Sequence, residues 1–348
     1  MKIKRETASS KLGQIDLYTI TNAQGASVTL SSLGAGITRV IVPDTKGQLA
    51  NVVLGYKDAA DYYHDGPSAG KVPGRYANRI ALGRFTLDGV EHQLRINNGP
   101  NHLHGGPEGF NNHLWQSEQL SESSVRFTLV SPDGDECYPG TLTATATYEW
   151  TDDCLLRLKL TATTDAPTVV NLTNHAYWNL AGEASGTALH HTMWLACSHY
   201  LPTSDSLIPT GEIAPVAGTP MDFTSEKEVG RDIKADFPAL HYGKGYDNCW
   251  VVDGWKPGRK QLVARLTDAA SGRVLEVSTD QPAAQVYTGN WLKGCPVSPS
   301  GHHYDDYDGV AIECQGMPDA PNHPNFPSQV LRPGERYERT IEFQLKTK

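Results

Sequence analysis

Residues 84–96 read RFTLDGVEHQLRI, two alternating segments joined by Asp88-Gly89. An Asp-Gly pair between alternating segments is a strong hairpin signal, because both turn positions favour residues that tolerate positive φ. The same texture extends along the chain. GQIDLYTITN (13–22), ASVTL (26–30), ITRVIVPDTKG (37–47), SVRFTLVSPDG (124–134), TLTATATYEWTDDCLLRLKLTATT (141–164), RVLEVSTD (273–280) and RYERTIEFQLK (336–346) are strand-like runs bounded by turn residues. Val, Ile, Thr and Tyr supply their β-propensity. Helix-period segments are nearly absent, and only DAADYYH (58–64) suggests a short helix. Many short strands at near-regular spacing predict a large all-β sandwich or barrel. No internal repeat or low-complexity linker divides the 348 residues, a length that by itself would suggest two domains.

Composition excludes several classes of function. Hydrophobic residues make up 39% of the chain, with 33 Gly and 22 Pro, which describes a turn-rich globular protein. A formal net charge of -9, with no Lys/Arg cluster longer than the opening MKIKR, argues against nucleic acid. No apolar run approaches the length of a membrane span. MKIKRETASSKLGQ has charge but no apolar stretch behind it, so neither a secretory signal nor a membrane anchor is expected. Six scattered cysteines without a CxxC pair read as reduced thiols of a cytoplasmic protein.

Histidine is where proton chemistry is sought first, since its ordinary pKa lies near neutrality. Of the 13 histidines, His190, His191, His302 and His303 read as surface residues. His175 lies in NLTNHAYWNL (171–180). An extended conformation there puts Asn171, Thr173, His175, Tyr177 and Asn179 on one face, either a solvated sheet face or a polar site. His104 lies in NNGPNHLHGGPEGF (97–110), where glycines permit close approach of a ligand. His102, His104 and Glu108 also make an HxHxxxE string with metal-ligand spacing, although Gly105, Gly106 and Pro107 break the strand that would align it. In DGVAIECQG (308–316), Val310 and Ile312 fall on one face, Ala311, Glu313 and Gln315 on the other, and a Pro-rich loop follows. A glutamate at such a strand end is suited to a catalytic role or to a structural ion pair. GKGYDNCW (243–250) offers Asp247, and GRYANRI (74–80) offers Arg75, Asn78 and Arg79, as grips for a polar ligand. No phosphate loop, GxSxG elbow or HExxH is present.

Taken in order, GRYANRI, NHLHGG, NLTNHAYWNL, GYDN, QVYTGN and AIECQGMPDAPNHPNFPS resemble, over essentially the whole chain, the aldose 1-epimerase (galactose mutarotase) family. The resemblance implies a single-domain antiparallel β-supersandwich spanning residues 1–348, an open cleft for a hexopyranose, and neither a metal nor an organic cofactor. It implies interconversion of the α and β anomers of a free aldohexose, D-galactose or D-glucose, with Glu313 as general base and His175 as general acid. His104 matches the family's second active-site histidine, and Arg79, Asp247 and Gln285 match its hydroxyl-gripping residues, with Asn78 beside them. Two departures stand out: Asn248 replaces the histidine common after the aspartate, and Cys137 interrupts DGDECYPG where glycine is common. Three rivals are a carbohydrate-binding module without turnover, a hexose-phosphate epimerase, and a glycosidase using Asp247 and Glu313.

Overall fold

A computed structural model describes residues 1–348. The Asp88-Gly89 hairpin forms as expected: strands Arg84–Leu87 and Val90–Gln93 pair with Leu87 opposite Val90. Asp88 (φ 52°) and Gly89 (φ 81°) both take left-handed conformations, as the two central residues of a type I′ turn must. The 141–164 run likewise becomes a hairpin of Leu142–Trp150 and Leu155–Thr164. In its first strand Leu142, Ala144, Ala146, Tyr148 and Trp150 alternate inward.

Three antiparallel sheets carry most of the chain. One of nine strands contains both of those strands together with Tyr337–Thr347, Arg273–Thr279 and Gln261–Thr267. A second has five strands, from Lys2–Ser10 through Leu49–Asn51. The third, which carries the site, has six strands in the order Tyr177–Trp178, Val310–Gln315, Ala283–Tyr287, Asp247–Val251, His199–Leu201, Ala214–Pro215. The all-β expectation holds: the one α-helix is Pro238–Gly243, and the expected helix at 58–64 is a 3-10 turn at Ala59–Tyr62.

The faces of the six-stranded sheet have different uses. Ala284, Val286, Trp250, Val310 and Ile312 point into a core cluster of 62 residues shared with the nine-stranded sheet. There Trp178 meets Phe343 with ring centroids 5.2 Å apart. Burying an aliphatic side chain of this size contributes roughly 1.5–3 kcal/mol, so the alternation at 310–315 is held firmly in register. The other face is left for chemistry. Glu313 stands directly opposite Gln285 and Gln285 opposite Cys249, while Ala311, Tyr287 and Asp247 form the next row.

NLTNHAYWNL departs from a regular strand. Only Tyr177–Trp178 pair in a sheet, and every residue of the segment is buried, so the solvated-face reading is excluded. Most of its polar side chains serve backbone. Asn171 donates to Ala77 O and Gly316 O, Thr173 to Cys314 O, and Asn179 to Gly186 O and Asp308 O. In an irregular buried segment these amides and hydroxyls replace the partners a sheet ladder would provide.

Candidate active site

A cleft of about 680 Å³ opens over the six-stranded sheet. Of the residues singled out from the sequence, Glu313, His175, His104, Arg79, Asn78 and Asp247 all line it. They come from five separate stretches of chain.

His175 is held through its backbone: its N–H donates to Lys71 O (2.9 Å) and its carbonyl accepts from Gly70 N (2.9 Å). Asn174 tightens the same seam by donating to Gly70 O at 2.6 Å. The imidazole leans on Tyr177, centroid to centroid 4.9 Å, and meets His104 edge-on at 5.3 Å. Its Nε2 lies 3.4 Å from Glu313 Oε1, with both side chains at least nine-tenths buried. Glu313 Oε2 and His175 Nδ1 have no hydrogen-bond partner. Burial, with Asp247 nearby, raises the Glu313 carboxyl well above the usual range. Burial, aided by the Lys71 charge, lowers His175 to about 4. Both shifts disfavour the charged forms. They make a Glu313 carboxylate a stronger base and a His175 imidazolium a stronger acid.

One wall is a charged and amide network. Arg79 Nη2 lies 3.8 Å from Asp247 Oδ2, and Arg79 Nε donates to Asn98 Oδ1 at 3.1 Å. Gln285 is not part of the cleft lining. It donates from Nε2 to Asp247 Oδ1 at 2.7 Å and so orients the aspartate from behind. Asn248 points to the opposite face of its strand, buried without a partner for either amide atom; Gln285, not residue 248, orients Asp247.

Other sequence readings are corrected. Arg75 is no ligand grip: its guanidinium is buried and donates to Pro139 O, Gly140 O, Thr168 Oγ1 and Ser131 Oγ. The HxHxxxE string does not converge, in line with the strand break at Gly105, Gly106 and Pro107. His102 is buried between Arg95 O and Tyr138 Oη, 2.6 Å from each, while Glu108 is half-buried beside His64. His191, read as a surface residue, is buried and accepts the Leu180 N–H at its Nε2. The donor atoms that do gather are those of His104, His175 and Glu313, all within 4.8 Å of one another. All six cysteines are free, and no helix is long and apolar enough to cross a membrane.

Sequence reasoning missed Tyr287, Asn98 and Trp291, which also line the cleft. Asn98 and Tyr287 lay inside quoted motifs, but nothing in their spacing distinguished ligand-facing from structural positions. Trp291 follows QVYTGN directly; it is 62% exposed, with Lys244 Nζ 4.3 Å above its ring.

A buried acid/base pair facing a wall of fixed hydrogen-bonding groups is suited to moving protons on a small, hydroxyl-rich molecule. Comparisons with known proteins agree. A family model described as aldose 1-epimerase matches residues 16–344. The chain is 42% identical over 333 residues to galactose mutarotase of Rattus norvegicus, covering 96% of this chain and 94% of the relative. It is 39% identical over 331 residues to aldose 1-epimerase of Escherichia coli K12, covering 94% of each. The crystal structure of the GalM/aldose epimerase homologue from C. elegans superposes with a TM-score of 0.87 at 30% identity, over 99% of both chains. The chain belongs to the aldose 1-epimerase family.

Proposed function

We propose that this isomerase interconverts the α and β anomers of a free aldohexose, D-galactose or D-glucose, with Glu313 and His175 carrying the protons. The observation behind this reading is the 3.4 Å approach of His175 Nε2 to Glu313 Oε1 in a buried corner of the cleft. Opening the hemiacetal requires removing the proton from the C1 hydroxyl and delivering one to the ring oxygen. Glu313 takes the first and His175 gives the second. The C1 carbonyl then turns about the C1–C2 bond, and closure on its other face returns both protons with the roles exchanged. Each positioned proton carrier typically contributes about 10²- to 10⁴-fold. Before opening, the pair must hold one proton in the form carboxylate and imidazolium; after opening it again holds one, now the former C1 hydroxyl proton on the Glu313 carboxylic acid, beside a neutral His175 imidazole whose proton is on the former ring oxygen. The pKa shifts favour the second form, which is the state of the open-chain complex.

Arg79, Asn78 and Asp247 are assigned to sugar hydroxyls, with Gln285 holding Asp247 in place, and His104 is assigned to a sugar oxygen near the pair. On this reading the whole chain acts as one domain, in the cytoplasm, on a monosaccharide, without nucleic acid or membrane as partner, and its acid/base steps require no metal or organic cofactor.

The test is polarimetry on freshly dissolved α-D-galactose. Wild type should speed the approach to equilibrium rotation, and Glu313→Gln and His175→Asn should each slow kcat by about 10²- to 10⁴-fold. Wild-type rates no faster than spontaneous mutarotation for galactose and glucose alike would refute the assignment.

A further inference from the structure

His104 and Asn78 clasp one another. The His104 backbone N–H donates to Asn78 O at 3.1 Å, and the Asn78 backbone N–H donates back to His104 Nδ1, also at 3.1 Å. Both residues take the left-handed conformation, His104 at φ 51° and Asn78 at φ 65°. Each is an uncommon choice for a residue with a Cβ, and surrounding contacts hold both. Asn78 Oδ1 accepts the Arg79 N–H at 2.8 Å. Behind the clasp, Gly105 lies so close to the Gly74 carbonyl that a Cβ at 105 would fall 1.7 Å from Gly74 O. The imidazole thus has little freedom to turn.

We infer that the Asn78 amide locks His104 as the Nε2–H tautomer, making it a permanently neutral hydrogen-bond donor to the sugar and unable to serve as a metal ligand. A neutral imidazole has one donor and one acceptor nitrogen, and the partner of one settles the state of the other. A backbone amide can only donate, so Nδ1 must present its lone pair. The proton then resides on Nε2, which has no hydrogen-bond partner in the protein, on a ring that lines the cleft. Forming the imidazolium would set an Nδ1–H against the Asn78 N–H. Coordination of a metal through Nε2 would require the same impossible proton on Nδ1. The titratable and charged groups around the ring are His175, Arg79, His102 and Glu313; Glu313 is the one acid among them, and wherever its charge lies a proton on Nδ1 would still meet the Asn78 N–H.

The consequence is a division of labour within the His104, His175 and Glu313 group. Two members exchange protons, and the third supplies a fixed dipole aimed at an oxygen that gains charge as the ring opens. His104 is then catalytic by contact, not by proton transfer. The role of that contact rests on the anomerase reading; the tautomer does not.

The tautomer is measured without substrate. In wild-type protein labelled with ¹⁵N at histidine, two-bond ¹H–¹⁵N correlation should show His104 with a bare Nδ1 and a protonated Nε2, unchanged across the pH range in which the fold is intact. A protonated Nδ1, or titration of His104 near neutrality, would overturn the inference. Two variants test the donor. His104→Gln places an amide donor near the former Nε2, while His104→Asn reaches only the Nδ1 position. Mutarotation by the Gln variant should stay within about 10-fold of wild type, and the Asn variant should lose about 10²- to 10³-fold, the usual effect of deleting one such donor. Equal losses in two folded variants would overturn the donor role. Calorimetric titration with zinc should show no binding that disappears in His104→Gln, and finding such binding would also overturn it. If the tautomer is as stated but Glu313→Gln retains full activity, the proposed proton carriers fail and this inference stands.

Discussion

Removing the charge partner of Lys71 should cost more stability than removing both charges. Lys71 is fully buried; its ammonium donates to Asp65 Oδ1 at 2.7 Å and to Tyr62 O at 2.5 Å. Asp65 accepts three more hydrogen bonds, from Tyr56 Oη, Ser68 N and Ala69 N. Asp65→Asn leaves a buried ammonium without a counter-charge, which costs about 3–5 kcal/mol. Lys71→Met keeps most of the aliphatic stem that packs against Gly34 and leaves a carboxylate with three donors, so the loss is smaller, about 1.5–3 kcal/mol. In the double variant neither charge remains, and its cost should fall below that of Asp65→Asn alone. Guanidinium denaturation of the three variants measures the cycle, and additivity of the two single losses would refute the coupling. The pair also reaches the site, because Lys71 O and Gly70 N hold the His175 backbone. His175 is lowered to about 4 chiefly by burial, with the Lys71 charge acting in the same direction. Lys71→Met removes that charge, the His175 pKa rises, and the acid limb of the mutarotation profile should move to higher pH. A limb that stays fixed or moves down would contradict the electrostatic link.

The wild-type pH profile should be bell-shaped with a broad top. Activity persists while the Glu313 and His175 pair holds one proton. It falls on the acid side as a second proton is taken up, toward the lowered His175 value of about 4, and on the alkaline side as the last proton leaves the raised Glu313 carboxyl. Polarimetric initial rates check both limbs. Arg75→Met should destabilise the fold by about 3 kcal/mol or more, since several buried carbonyls lose their donor together. Yet kcat of the protein that remains folded should be nearly unchanged, because Arg75 does not line the cleft. Gly105→Ala should lower both thermal stability and activity: residue 105 sits at φ 86° with its Cβ position against Gly74 O, and relief requires moving the neighbouring His104. EDTA should leave the wild-type rate unchanged in the same assay.

Local chemistry was enough to read the strands, the Asp88-Gly89 turn and the two-faced alternation at 310–315. Such features depend on residues a few positions apart, and propensity, turn geometry and period-2 burial all act at that range. Most of the candidate residues that line the cleft were also legible, because the motifs of a known family appear in order. Which of the polar residues in those motifs face the cleft was not. Arg75 and Arg79 are four residues apart in one motif, and Asn171 and His175 are four apart in another; in each pair one member binds backbone and the other lines the site. That choice belongs to the tertiary structure, since it depends on which carbonyls from distant segments lack partners once the sheets pack. For the same reason Gln285 turns to Asp247, His102 to Tyr138, and His104 takes the tautomer that the Asn78 amide imposes. From sequence alone came an all-β chain with a candidate acid, a candidate base and candidate sugar-gripping residues; packing determined the 3.4 Å approach of His175 to Glu313, the shifted proton affinities of that pair and which polar groups line the cleft.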